Sequence, residues 1–64
     1  MKVADFLEVV DENEFVEIYD EFEKFLTEYY GKNKTKTEFD LCEIARIDHN
    51  DNAICLYLDN NTIF

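Results

Sequence analysis

The chain lacks serine altogether and has one glycine, Gly31, among its 64 residues. The absence of serine excludes a Ser-His-Asp triad, because that triad needs a serine nucleophile. One glycine is too few for a Walker loop or a dinucleotide-binding loop, since both use several glycines to bring the backbone close to phosphate groups. The sequence therefore excludes these hydrolytic and nucleotide-binding sites.

Cysteine and histidine are also scarce, with two cysteines, Cys42 and Cys55, and one histidine, His49. Two cysteines do not make a disulfide framework, and the first residues do not resemble a signal peptide, so we expect reduced thiols in a cytoplasm. Both thiols lie in apolar runs and are expected to be buried as small hydrophobic side chains. A Cys-His dyad would need a thiol beside His49, which the expected strands do not provide, so we expect no enzymatic activity.

Basic residues are few: six Lys and Arg face 16 Asp and Glu, which gives a formal net charge of −10. Charge of this sign repels nucleic acid and anionic lipid, and it attracts basic grooves on other proteins. No apolar stretch approaches the roughly 20 residues that a membrane-spanning helix needs. We therefore expect neither nucleic acid nor a membrane to be a direct partner.

Apolar residues are plentiful, by contrast. They make up 47% of the chain and include six Phe and four Tyr, far more than a disordered acidic tail carries. Residues 1–64 are therefore expected to form one small domain. Such a domain buries only roughly 60% of the surface that its unfolded chain exposes. A homodimer would bury more of the aromatic rings, although self-repulsion opposes it.

The first predicted element is a short helix. Val3, Phe6, Leu7 and Val10 recur at the spacing of one helical face, which predicts a helix over about residues 2–10. The polar stretch DENE at 11–14 then interrupts the apolar pattern. The polar stretch KNKTKT at 32–37 follows the glycine and is expected to be a surface loop.

Residues 15–30 fit two different structures. One helical face would carry Phe15, Ile18, Tyr19, Phe22, Leu26 and Tyr29. Gly31 is a suitable stop, so a long helix from about 13 to 30 is one alternative. Residues 16–19 and 25–30 can instead form two strands that turn near Asp20 and Glu21, because their aromatic rings suit cross-strand pairing. The sequence leaves both alternatives open.

The last part of the chain predicts a β-hairpin. Residues 41–48 and 53–59 are rich in β-branched and apolar residues, and the HNDN segment between them is typical of a turn. The final NNTIF is expected to be a polar turn with an apolar tail that packs back on the sheet. The expected fold is α+β, with the amino-terminal helix packed on a small antiparallel sheet of two hairpins. With the long helix at 13–30, that sheet would be reduced to the carboxy-terminal hairpin.

One segment partly matches a calcium-binding loop. Asp48, Asn50, Asn52 and Asp59 fall at ligand positions of that pattern, but Ala53 stands where the loop needs glycine for a sharp turn. The flanking segments are also expected to be strands and not helices. We therefore expect a turn here, with no metal site and no cofactor.

Four segments together resemble a group of small proteins. MKVADFLEVV, EFVEIYD, FEKFLTEYY and CEIARIDHNDNAICLYLD are similar to small acidic proteins of phages and prophages of Gram-positive bacteria, in which a short helix precedes two β-hairpins. The small, acidic, phage-encoded type also resembles anti-CRISPR proteins, many of which occupy the nucleic-acid groove of a Cas effector. The resemblance implies a protein that works in the cytoplasm of a bacterial host cell.

The candidate partner-binding residues are the acids before, within and after the first expected strand. They are concentrated within a short segment with few lysines between them, and acids on both strands of a hairpin would form a ladder. Along one strand face such carboxylates lie about 6–7 Å apart, near the phosphate spacing of a nucleic-acid strand. The candidates are Asp11, Glu12, Glu14, Glu17, Asp20, Glu21 and Glu23.

These acids indicate an inhibitor that binds the basic nucleic-acid-binding surface of a partner protein. The expected partner is a Cas effector. Exposed tyrosine or phenylalanine side chains would supply anchor contacts. Two alternatives belong to other classes of protein: a homo-oligomeric phage structural protein, and an adaptor that binds a basic host regulator without a nuclease target.

Overall fold

The computed structural model describes residues 1–30 and 38–63. The predicted surface loop at 32–37 and the terminal Phe64 lie outside the described residues. In chain order the elements are α1 (Val3–Val9), β1 (Phe15–Tyr19), β2 (Phe25–Tyr30), β3 (Ile44–His49), β4 (Ile54–Leu58) and a 3₁₀ turn (Asn60–Thr62).

Helix α1 confirms the prediction of a short amino-terminal helix. Its first turn has no side-chain cap; instead the backbone N–H groups of Val3 and Ala4 donate to the carbonyls of Cys42 and Asp40 at 3.1 and 2.9 Å. These bonds satisfy donors that a helix leaves unpaired at its start. They also fix α1 to the segment that precedes β3, so its apolar face lies over the sheet.

Residues 15–30 form a β-hairpin, and the alternative of a long helix is wrong. Strand β1 pairs with β2 in antiparallel fashion, and the turn between them is held by Asp20, whose Oδ1 accepts from the N–H groups of Phe22 and Lys24 at 2.8 and 2.9 Å. Phe22, which the helical pattern would bury, is 80% exposed, whereas Val16, which lies off that pattern, is fully buried. Burial of alternate residues therefore decides in favour of strands.

The second hairpin is also present. Strand β3 pairs with β4, and Oδ1 of Asn50 closes the turn by accepting from the N–H groups of Asn52 and Ala53, both at 2.8 Å. Strand β3 begins three residues later than the sequence predicts, because residues 41–43 form a turn and a bridge to Lys2.

The α+β class is confirmed, but the sheet is mixed where an antiparallel one was expected. Its strand order is β2-β1-β4-β3, and the two central strands, β1 and β4, run parallel. This pairing joins the hairpins into one sheet. It sets Val16 beside Ile54 and Ile18 beside Leu56, so the apolar residues of both hairpins share one face.

The core lies between that face and α1. Phe6, Leu7 and Val10 of the helix segment pack against it, as does Ile63 after the 3₁₀ turn. Both cysteines are buried, as expected for small hydrophobic side chains. The buried cluster consists of Val3, Val16, Ile18, Tyr29, Cys42, Leu56 and Leu58.

Two matched isoleucine substitutions test this core. Ile18→Val should lower the free energy of unfolding by about 0.5–1.5 kcal/mol, because it leaves a cavity at a fully buried position. Ile47→Val, on edge strand β3 and 51% exposed, should change it by less than about 0.5 kcal/mol. Urea unfolding of both variants measures the difference, and equal losses would contradict the described core.

Candidate partner-binding face

The side of the sheet turned away from α1, here called the open face, has no described element packed against it. Four aligned residues, one per strand, form its central row. Glu28 of β2 lies beside Glu17 of β1, Glu17 beside Cys55 of β4, and Cys55 beside Asp48 of β3. Three of these four side chains are carboxylates, so we call this row the acidic row.

A second row runs parallel to the first and consists of three rings and one cation. The ring centroids of Phe25 and Tyr19 lie 5.8 Å apart in an edge-to-face arrangement, and those of Tyr19 and Tyr57 lie 5.2 Å apart and stacked. The guanidinium carbon of Arg46 lies 4.0 Å from the centroid of Tyr57. We call this set the aromatic row; it crosses all four strands.

A pair of rings lies on the other side of the acidic row. Phe15 and Tyr30 meet edge to face with centroids 4.4 Å apart, and the hydroxyl of Tyr30 donates to Oε1 of Glu28 at 2.7 Å. That hydrogen bond to a carboxylate is the largest cause of the raised pKa of Tyr30. Glu17 and Glu28 therefore lie between two sets of aromatic rings.

Glu17 is the most connected carboxylate of the acidic row. Its Oε1 accepts from the hydroxyl of Tyr19 at 3.1 Å and from Nδ2 of Asn50 at 3.2 Å, and the thiol of Cys55 lies 3.7 Å away. Burial raises the pKa of Cys55 above its usual value, and the negative charge of Glu17 raises it further. The same two causes raise the pKa of Tyr19.

Three of the predicted residues, Asp11, Glu12 and Glu14, are exposed in the loop before β1. Because β1 and β4 are parallel, this loop and the β3–β4 turn lie at the same end of the sheet. Glu14 and residues 49–54 line one surface depression of about 350 Å³. Asp51 of that turn therefore adds a fourth carboxylate to this end.

Another three, Asp20, Glu21 and Glu23, lie in the β1–β2 turn at the opposite end. Asp20 closes the turn, as described above, so its carboxylate has a structural task. Oε1 of Glu23 accepts from Nη2 of Arg46 at 3.4 Å. Both side chains of this ion pair are exposed, that of Arg46 by 52% and that of Glu23 by 67%. Such an exposed pair contributes little to stability, with a typical value of about 0–1 kcal/mol.

The seven predicted acids thus occupy three places. The expected ladder of acids on both strands of the hairpin consists of one pair, Glu28 of β2 beside Glu17 of β1. Glu17 is the one acid within that strand, because Phe15 and Tyr19 take the neighbouring positions on the same face. The acidic row runs across the strands instead, with neighbouring strands about 4.8 Å apart. The seven candidates do not include the other two carboxylates of this row, Glu28 and Asp48.

Other residues considered for a site from the sequence are Asp59, His49 and Cys55. Asp59, a member of the calcium-loop pattern, accepts from the N–H of Asn61 at 2.9 Å and so caps the 3₁₀ turn. His49 pairs with Ile54 and is exposed, whereas Cys55 is the next residue along β4 and points to the opposite face. Within residues 1–30 and 38–63, no three His, Cys, Asp or Glu side chains are placed to hold a metal ion.

The coupling between Glu17 and Cys55 gives a direct test of the open face. Glu17→Gln should lower the pKa of Cys55, because it removes the negative charge beside the thiol but keeps an oxygen that accepts hydrogen bonds. Glu28→Gln is the matched control: it should lower the pKa of Tyr30 and leave Cys55 unchanged. NMR titration of the cysteine Cβ shifts measures the pKa of Cys55, and that of the tyrosine ring shifts measures the pKa of Tyr30. An unchanged pKa of Cys55 in Glu17→Gln would contradict this geometry.

In the described part of the chain, no helix is both long and apolar enough to cross a membrane. Comparison with known proteins finds no protein family, no curated protein and no solved structure that matches this chain.

Proposed function

We propose that this protein is a stoichiometric inhibitor that binds the basic nucleic-acid-binding surface of a bacterial effector, with a Cas effector as the first candidate. It acts by occupying that surface and performs no chemistry. Its place of action is the cytoplasm of a bacterial host cell, and the type of protein is the small acidic anti-CRISPR protein of phages.

The observation that carries the proposal is the one-sided charge of the folded surface. All 16 acids lie within residues 1–30 and 38–63, together with three of the six basic side chains: Lys2, Lys24 and Arg46. Of these three, Arg46 is already paired with Glu23 and stacked on Tyr57. A basic groove would therefore meet a surface on which few carboxylates are neutralised from within.

The distribution of the acids supports a partner that surrounds part of the molecule. Carboxylates lie at both ends of the sheet and on the open face between them, along a body whose longest extent is 29 Å. A standard interface buries roughly 800 Å² on each partner. That is a substantial share of the 4424 Å² of accessible surface, so one face with its flanking loops would suffice.

Electrostatic attraction between such surfaces acts mainly on the rate of association. A negative face steers a positive groove towards it, and salt screens the effect. The exposed aromatic rings of the open face would then supply short-range contacts of the kind that dominate binding energy at interfaces. Binding by this route should be fast and sensitive to salt.

A charge-reversal pair tests the proposal on a panel of purified, guide-loaded Cas nucleases. The wild-type protein should abolish target-DNA binding by at least one nuclease at a ratio near one to one. Glu12→Lys with Glu21→Lys should slow association by about tenfold or more at low ionic strength and reduce its salt dependence. The measurement is association kinetics at several salt concentrations.

Asp5→Lys with Glu8→Lys is the matched control, because it makes the same change of charge on exposed positions of α1, which covers the other side of the sheet. Its effect on the association rate should be clearly smaller. Equal association rates for the wild-type protein and for the variant with Glu12→Lys and Glu21→Lys would contradict electrostatic mimicry. Failure to inhibit any nuclease of the panel would contradict the choice of partner.

The exposed apolar side chains favour one alternative, a homo-oligomeric phage structural protein. Val9, Phe22 and Leu41 are 75%, 80% and 74% exposed, so their apolar side chains contact water in a single copy. Burial of these residues between copies would stabilise an oligomer.

Sedimentation equilibrium decides between the two functions. The proposed inhibitor should remain a monomer over a wide range of concentration, because copies with a net charge of −10 repel one another. A mass that rises with concentration, and rises more in high salt, would favour the structural alternative. Loss of that rise in Phe22→Ser or Leu41→Ser would then locate the contact.

A further inference from the structure

We propose that the open face binds arginine side chains of the partner, each held against an aromatic ring and a carboxylate at the same time. This inference rests on the proposed function and adds the surface that makes the contact and the side chain that it recognises. The partner segment is rich in arginine, and lysine would replace arginine poorly.

The chain's own Arg46 already makes this kind of contact at one end of the aromatic row. Its guanidinium carbon lies 4.0 Å from the centroid of the Tyr57 ring, and its Nη2 donates to Oε1 of Glu23 at 3.4 Å. A planar guanidinium can stack on a ring and still direct its N–H groups at a carboxylate. The aromatic row therefore has the chemistry to hold a guanidinium.

The other end of the open face offers the same two groups. Phe25 is 48% exposed and Tyr30 is 56% exposed, and both belong to edge strand β2 together with the exposed Glu28. The aromatic row and the acidic row are two residues apart along β1, which is about 6.6 Å. A guanidinium placed over Phe25 could thus direct its donors at Glu28.

The carboxylate of Glu28 can accept further hydrogen bonds. The hydroxyl of Tyr30 takes one acceptor site on Oε1, and an ionised carboxylate has about four such sites. Glu17 lies beside Glu28 across the β1–β2 pairing. A cation at this position would therefore be attracted by two adjacent negative charges.

The charge of the open face argues against other occupants. Nucleic acid would bring its phosphates against the acidic row and be repelled. A second copy docked face to face would bring Glu17, Glu28 and Asp48 close to the same acids of its partner, which costs binding energy. A basic protein segment is the occupant whose charge is complementary.

Two short peptides test the preference for arginine. Hexa-arginine and hexa-lysine carry the same charge, so a purely electrostatic surface would bind them equally. Titration of the isotope-labelled protein with each peptide, followed by backbone-amide NMR shifts, should give saturable changes on β1, β2 and β4. Hexa-arginine should bind about two- to fivefold more tightly, because only a guanidinium gains the stacking contact.

Two phenylalanine variants identify the ring. Phe25→Leu removes an aromatic ring of the open face and should reduce the preference for hexa-arginine while leaving the affinity for hexa-lysine unchanged. Phe22→Leu makes the same substitution in the β1–β2 turn, where the side chain is 80% exposed, and should leave the preference intact. Both positions are exposed enough for the variants to fold, which thermal unfolding would verify.

Two glutamate variants identify the carboxylate. Glu28→Gln should weaken the binding of both peptides, and that of hexa-arginine more strongly. Glu12→Gln, which removes the same charge from the loop before β1, should have a smaller effect on both. Equal binding of the two peptides to the wild-type protein would overturn the inference. NMR shifts confined to the loops at 11–14 and 20–24 would also overturn it, as would the same peptide preference in Phe25→Leu and Phe22→Leu.

Inhibition assays separate this inference from the proposed function. If the wild-type protein inhibits a Cas nuclease and Phe25→Leu with Glu28→Gln inhibits it equally well, the inference is wrong and the proposed function stands. If the wild-type protein inhibits no nuclease but keeps its preference for hexa-arginine on the open face, the proposed function is wrong and the arginine-binding surface stands.

Discussion

The parallel pairing of β1 with β4 is the contact on which the rest of the structure depends. A two-stranded hairpin is at best marginally stable in water, and this protein contains two of them. The pairing aligns Val16 and Ile18 with Ile54 and Leu56, so that both hairpins present their apolar residues to the same side. Helix α1 can then cover one continuous surface instead of two small ones.

The same pairing assembles the open face from distant parts of the chain. Glu17 and Cys55 are 38 residues apart in sequence, yet they lie side by side in the acidic row. Tyr19 stacks on Tyr57 for the same reason. The pairing also brings the loop before β1 next to the β3–β4 turn, which gathers acids at one end of the sheet. The pairing of β1 with β4 thus forms both the core and the candidate site.

Local signals in the sequence were sufficient for α1 and the second hairpin, but not for residues 15–30 or for the arrangement of the strands. The spacing of Val3, Phe6 and Leu7 predicts α1, and the HNDN segment predicts the second turn, because both patterns depend on near neighbours. The hairpin at 15–30 stayed ambiguous, since its apolar residues fit two periodicities. The parallel pairing could not be predicted, because no local pattern records which strands will meet.

The residues of the candidate site were likewise predicted only where they are close together in sequence. The sequence identified the acids of the two loops and Glu17, because they are concentrated in one segment. Its seven candidates do not include Glu28, which the expected hairpin places beside Glu17, or Asp48, which joins the acidic row only through β4. It also predicted no role for Arg46 or Tyr57, since their stacking becomes visible only when β3 and β4 are paired in register. Residues that act together here are rarely close in sequence.

The central position of the parallel pair has a consequence for biosynthesis. Strand β1 is complete by Tyr19, but its partner β4 begins at Ile54. Contacts between residues so far apart form slowly, because the entropy of closing the intervening loop must be overcome first. On the ribosome, Val16 and Ile18 therefore lack their neighbours Ile54 and Leu56 until β4 has emerged. During that interval the charge that repels other copies also protects the nascent chain against aggregation.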